Sequence, residues 1–266
     1  MATEPATEGS VAARSGAAAA PNSRPVKGVR KRKPRQWIPP QHGVWAMLLL
    51  PYLAGLQFGL SWLHVPLLCV WLSGWLASYY ALLAVKTLKF HRFWRQVLAF
   101  GIVCAVAAIP LFVSRPGLLW FSPVFAVLLT INAVASRVGQ ERASANGLAS
   151  VTMASLMSMI APATAGLDWK LGIPVAIVAW LYLAGTVFYV KNMIRERGSR
   201  VHFVVSVAYH VGALAASVAV SPWLAIPFAW FLVRAIVLPR FRLKVLVVGL
   251  IEIGNSLLLL GFLYAL

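Results

Sequence analysis

Two side chains in this sequence are costly where they stand, and each is a candidate for chemistry. Glu252 lies in "GLIEIGNS", an apolar stretch, eight residues past Lys244. At 1.5 Å per residue, that is roughly 12 Å into a helix. Gly249, Glu252 and Ser256 fall on one helical face. His210 lies ten residues past Arg200, roughly 15 Å deep by the same rise. Ser206 and Ser217 lie near its stripe. The matching depths make Glu252 and His210 candidates for a catalytic, proton-handling pair. Ionisable groups buried in an apolar segment read as functional by default, and the competing reading is a structural bond between helices.

A second set suits anion binding. "LLTINAVASRVGQERASAN" carries Asn132, Arg137, Glu141, Arg142 and Asn146, and "GTVFYVKNMIRERGSR" carries Lys191, Arg195, Arg197 and Arg200. Gly185, Tyr189, Asn192 and Glu196 recur on one stripe of the latter. Glu141 with Arg137, and Glu196 with Arg200, read as i,i+4 ion pairs on solvated turns. The alternative is a cationic mouth whose guanidinium groups bind an anion. His42, at the start of the first apolar run, would line its approach. The candidate binding residues are therefore His42, Asn132, Arg137, Lys191, Arg195 and Arg197. Cys69 and Cys104 fall inside apolar runs without CxxC or metal-ligand spacing, and no metal site is expected. No Walker loop, GxSxG, HExxH or dinucleotide fingerprint occurs. The residues do not specify a cofactor.

The segments that must position these groups follow from composition. Of 266 residues, 61% are hydrophobic and 11% charged, whereas soluble domains carry about 25% charged residues. Nine apolar runs near the spanning length of ~20 residues are legible: 43–62, 66–86, 95–113, 118–136, 147–166, 171–190, 201–219, 222–238 and 245–265. The expectation is an all-α, polytopic transmembrane bundle of about nine helices over residues 37–266. Short links make neighbours antiparallel. The run 222–238 is the least regular, being short and holding Pro227.

Residues 1–36 lack large apolar side chains and read as a disordered tail. No apolar core precedes residue 43, so the tail does not read as a signal peptide. Its "KGVRKRKPR" block, Lys27–Arg35, suits anionic lipid headgroups. With nine spans and the N-terminus in the cytoplasm, 22 of the 24 Lys and Arg residues fall inside, with Arg234, Arg240, Arg242 and Lys244 counted together after the eighth run. Only Arg115 and Lys170 fall outside. The positive-inside rule then puts the C-terminus outside a bacterial cytoplasmic (inner) membrane. The net charge of +18 is accounted for by that rule, and no nucleic-acid partner is expected. The candidate polar groups all lie in the cytoplasmic half, and the outer half is nearly pure hydrocarbon.

"PPQHGVWAMLLLPYLAG" (Pro39–Gly55), "GTVFYVKNMIRERG" (Gly185–Gly198) and "GLIEIGNS" (Gly249–Ser256) together resemble the YwiC-like bacterial membrane proteins over roughly residues 37–266. The family pattern P-x-x-H-G-x-W-A-M falls on Pro39, His42, Gly43, Trp45, Ala46 and Met47. The pattern N-x-x-x-A-R…E-R…N-D is matched at Asn132, Glu141, Arg142 and Asn146, but Gly147 replaces the final Asp. The resemblance implies a multi-pass protein and brings no established activity. Nine helices with an inside N-terminus are also similar in topology to UbiA-type prenyltransferases. Those enzymes hold Mg-diphosphate through Asp-rich motifs, whereas this chain has a single Asp, Asp168, in an outer link.

Three functions are consistent with the residues. The first is a cytoplasm-facing cationic cavity that binds an anionic, phosphate-bearing lipid, as in a membrane transferase. The second is a proton- or anion-coupled permease using Glu252 and His210. The third is a non-catalytic membrane scaffold. A permease usually places polar groups near the midplane and beyond, which favours the first.

Overall fold

The protein is described here from a computed structural model covering residues 37–39 and 42–265. The expected basic tail lies outside the described residues, which contain helices and no strand. In chain order the helices are α1 (His42–Gly55), α2 (His64–Thr87), α3 (Phe90–Ser114), α4 (Ser122–Arg137) and α5 (Ser144–Ser155). They continue with α6 (Met157–Thr164), α7 (Ile173–Val190), α8 (Arg200–Val220), α9 (Ala225–Val237) and α10 (Val245–Leu263). α5 and α6 together make one apolar segment, Ser144–Thr164.

The described residues therefore supply nine segments, each coinciding with one of the nine sequence runs. Eight are long and apolar enough to cross a membrane, and the ninth, Gly43–Phe58, is shorter. This is a multi-pass membrane protein. Run 222–238 reaches spanning length because 3-10 turns at Pro222–Leu224 and Leu238–Arg240 extend α9 at both ends. Pro227 sits in the first turn of α9, where its missing N–H removes no helical bond.

The segments fall into two tiers. Half or more of the apolar window is buried in Ser144–Thr164 (61%) and Trp169–Arg195 (50%). Only 6% is buried in Phe90–Ser114 and 11% in Pro116–Arg137. α5, α6 and α7 are thus the centre, with α1 and α10 packed beside them, while α8 and α9 pair on one flank and α2 with α3 on another. α4 bridges α2 and α5. The outer helices owe their apolar surface to lipid, against which no partner is needed.

Close approach at the centre depends on small residues. A Cβ on Gly55 of α1 would stand 2.8 Å from Ala161 Cβ on α6, and one on Gly172 would stand 2.0 Å from the Ser158 carbonyl oxygen. The second obstacle is backbone, so no side chain fits there. The Ser158 hydroxyl also donates to the Pro51 carbonyl at 2.9 Å, tying α6 to α1. His64 bridges the same corner, its Nε2 lying 2.9 Å from the Ala161 carbonyl. These contacts hold α1 and α6 against each other and against the turn that opens α7, toward the end of the bundle opposite the one where most Lys and Arg collect.

Candidate functional site

Glu252 lies on α10, buried at 5% exposure, and its partner is Arg234, from within the apolar run 222–238. Arg234 Nη1 on α9 donates to both carboxylate oxygens at 2.6 Å. Thr186 Oγ1 on α7 donates to Oε2 at 2.9 Å. The Tyr182 hydroxyl lies 3.1 Å from the Glu252 carbonyl and 3.4 Å from Oε2. Ser256, one turn further on, sends its hydroxyl to the Glu252 carbonyl at 2.8 Å. Three helices thus converge on one carboxylate.

Arg234 is 2% exposed, the largest of the fully buried side chains. Its guanidinium lies over aromatic rings, 4.3 Å from the Tyr189 centroid and 5.4 Å from that of Phe231. Delocalised charge over ring faces limits the cost of removing it from water. Nη2 faces His210 Nε2 at 3.3 Å. His210 Nδ1 lies 2.7 Å from the Ser206 carbonyl, which can only accept, so Nδ1 carries the proton. Nε2 is then free to accept from Arg234. The order across the bundle is His210, Arg234, Glu252. The histidine and the carboxylate share a cluster, as their depths implied, but each bonds to the arginine between them. A Cβ on Gly185 would lie 3.1 Å from His210 Nε2, so the missing side chain admits α8 to α7 at this level.

One face of this cluster borders a cavity of about 1370 Å³. Glu252, Tyr182, Thr186 and Ser256 line its wall; His210 and Arg234 do not. At the basic end the cavity is ringed by Lys86, Glu141, Arg142, Lys191 and Arg195. The far end is apolar, with Leu111, Leu118 and Phe121. Lys86 and Glu141 form an ion pair across the mouth, joining α2 to the α4–α5 link. The Lys86 ammonium beside Glu141 holds that carboxyl below its ordinary value. Arg142, Lys191 and Arg195 then exceed the acids at the mouth. Lys191 Nζ reaches Ser144 Oγ at 3.3 Å, at the N-terminus of α5.

The other expected residues divide. Asn132 is buried on the cavity wall, with Nδ2 donating to Ser150 Oγ at 3.3 Å. Arg137 is exposed at the end of α4 and does not line the cavity. Arg197 donates to the Met193 carbonyl at 2.9 Å and the Leu243 carbonyl at 3.1 Å, fastening the turn after α7 to the link before α10. The side chain of His42 lies outside the described residues, although its backbone opens α1.

Two expected ion pairs are replaced. Gly139 at φ 71° ends α4, so Arg137 and Glu141 share no helical face, and Glu141 takes Lys86 instead. Gly198 at φ 84° separates Glu196 from Arg200 in the same way, and Glu196 Oε2 lies 3.9 Å from His202 Nδ1. A signal for Arg234 did exist. It interrupts the apolar "FAWFLVRAIV", and a buried carboxylate on a neighbouring span requires a cation.

The pattern of the YwiC-like proteins matches residues 38–162. An uncharacterised protein of Haemophilus influenzae is 33% identical over 218 residues, covering 80% of this chain and 90% of that protein. The chain belongs to the YwiC-like family. YwiC of Bacillus subtilis, itself uncharacterised, is 33% identical over 179 residues, covering 65% of this chain and 74% of its own length. No solved structure matches.

Within this YwiC-like chain the matched pattern runs from α1 through most of α6. It takes in one wall of the cavity and the Lys86–Glu141 pair. The cluster around Arg234 is built entirely from α7 to α10, beyond that segment.

Proposed function

We propose that this protein binds an anionic, phosphate-bearing lipid in the cavity, with the headgroup at the basic mouth and the hydrocarbon against the apolar shaft. The observation that carries the reading is the distribution of charge along one continuous space. Arg142, Lys191 and Arg195 stand at one end, and Leu111, Leu118 and Phe121 at the other. A small polar solute has no use for such a shaft, and a neutral lipid has no use for such a mouth. The start of α5 adds to the mouth. Ala143, Asn146 and Gly147 line the cavity there; the Ala143 and Gly147 amides are bonded to the Gln140 and Ala143 carbonyls, and Asn146 is the lining residue whose first-turn N–H has no helical acceptor and favours an anion.

On this reading the basic end faces the cytoplasm, where Lys and Arg collect. Glu252 holds Tyr182 and Thr186 as a polar patch part-way down the wall, and His210 acts through Arg234 as a positioning residue. A permease is less well supported, because the far end of the cavity offers no polar group beyond Ser122.

The test is native mass spectrometry of protein purified in mild detergent. The wild type is expected to retain a phosphate-bearing lipid. The double variant Lys191→Ala, Arg195→Ala is expected to lose most of it while melting at the same temperature. A wild type that comes through bare and takes up no added anionic lipid overturns the reading. Its orientation is tested separately with an impermeant thiol reagent on intact cells. A cysteine at exposed Asp168 is expected to react and one at exposed Arg200 to stay silent; the reverse pattern turns the topology over.

A further inference from the structure

The dimensions of the cavity say more about the ligand than its mouth does. On α2 the lining residues include Leu67, Trp71, Gly74, Ser78, Leu82 and Lys86, a regular i,i+3/i+4 series. From Leu67 to Lys86 is nineteen helical steps, roughly 28 Å of helix at 1.5 Å each. On α4 a matching stripe runs from Phe125 through Leu129 and Asn132 to Ser136, with Phe121 of the preceding 3-10 turn continuing it, roughly 22 Å in all by the same rise. Two facing helices thus leave one groove open along nearly their whole lengths. A bilayer's hydrocarbon core is about 30 Å thick, so the chains of a lipid resting in one leaflet reach about half that distance.

The geometry points to a ligand with one long hydrocarbon chain that passes from the headgroup mouth beyond the bilayer midplane, in the manner of a polyisoprenoid or very-long-chain alkyl phosphate. The inference rests on the binding reading above and narrows its ligand class. The cavity is walled by α1, α5, α7 and α10 as well as by α2 and α4, so its length, and not a narrow width, is what selects the chain. Aromatic side chains, Trp71, Trp75 and Phe125, also stand along its middle, with Trp71 and Phe125 edge to face at 6.2 Å between centroids. A flat, branched isoprenoid chain lies well against such rings. A saturated alkyl chain gains less there, so the two sources of the same chemistry are separable.

The full chain in detergent is titrated with farnesyl phosphate, hexaprenyl phosphate, a saturated alkyl phosphate of hexaprenyl length, and a diacyl phosphatidic acid. Bound ligand is counted by native mass spectrometry. Hexaprenyl phosphate is expected to bind at least tenfold more tightly than farnesyl phosphate, and more tightly than the diacyl lipid. A long alkyl probe that matches it identifies length alone as the criterion; a weaker one assigns the isoprenoid. Ser122 is exposed at the far end of the groove. Ser122→Trp plugs that end and is expected to abolish the advantage of the long probes while leaving farnesyl phosphate unchanged. Ser122→Ala, which opens space, keeps the advantage. Equal affinity for short and long chains, or insensitivity to Ser122→Trp in a variant that melts normally, overturns this inference and leaves the binding reading standing. Failure of all four probes overturns the binding reading itself.

Discussion

The two charged regions of this protein sit at the same end of the bundle and obey opposite rules. Around Arg234 the charges are paired: two hydrogen bonds at 2.6 Å to Glu252, a third contact to His210, and aromatic rings over the guanidinium, with Nε alone left without a partner among the described residues. At the mouth the balance is left uneven. Lys86 has Glu141, but Arg142, Lys191 and Arg195 have no acid bonded to them among the described residues. The difference follows from solvent. A charge in an apolar interior must be paired or it becomes neutral, whereas a charge at the rim keeps its water and can wait for a ligand. The interior cluster therefore reads as a rigid support, and the mouth as the part that responds to what binds.

The comparison breaks most sharply at Glu252. Glu252→Leu leaves a buried guanidinium that cannot lose its proton, and is expected to cost about 3–5 kcal/mol, the range for stripping one partner from a buried pair. Arg234→Met leaves a carboxyl that can become neutral, so it is expected to be milder. The double variant should recover most of the loss, since an apolar pair of similar volume strands no charge. Thermal unfolding in detergent reads all three. A Glu252→Leu protein that melts with the wild type would remove the structural role assigned to the cluster.

At the mouth the expected effect is on binding and not on folding. Lys191→Ala with Arg195→Ala should lower retention of a phosphate-bearing lipid by roughly tenfold, each contact being a charge-assisted hydrogen bond. Its melting temperature should stay within the small range typical of surface changes. Loss of stability in place of binding would move the mouth into the same class as the interior.

Gly185 sharpens the contrast on a smaller scale. A Cβ there meets His210 Nε2 at 3.1 Å, so Gly185→Ala is expected to cost about 1–2 kcal/mol, as small insertions into packed sites do. Gly249→Ala, with nothing within 4 Å of its Cβ position, should be neutral on the same unfolding assay.

The smallest effect belongs to the Lys86–Glu141 pair. Lys86 lowers the Glu141 carboxyl below its ordinary 4.5. Stability from a depressed acid is present above the ordinary value and is lost as pH falls through the lower folded one. Glu141→Gln should therefore cost about 0–1 kcal/mol at neutral pH, and the difference from wild type should vanish in acid. A gap that widens in acid would contradict the pair.

Much of the architecture was legible because its cause is local. Each span needs its own run of apolar residues, and all nine runs coincide with helical segments, with boundaries shifted by a few residues. Even Pro227 left its run intact, since it falls in the first turn. The site was legible by halves. Glu252, His210 and Asn132 stood out because polar groups in apolar runs are costly, and all three are buried near the basic end. Arg234 was counted with the link charges because it lies close to Arg240 and Arg242, and its burial depends on where α7 and α8 lie beside it. The expected Glu141–Arg137 pair failed at Gly139, where a left-handed residue turns the chain off the helix.

Composition and the spacing of apolar runs, by themselves, determined that this is a multi-pass helical membrane protein with its basic residues crowded at one end, because hydrocarbon demands a self-satisfied backbone from every span separately. Only the tertiary structure decided that Arg234 stands between His210 and Glu252, that Lys86 takes Glu141, and that α2 and α4 leave a groove beside the core. Those are relations among helices distant in sequence, set by which small residues allow close approach, and no single segment contains them.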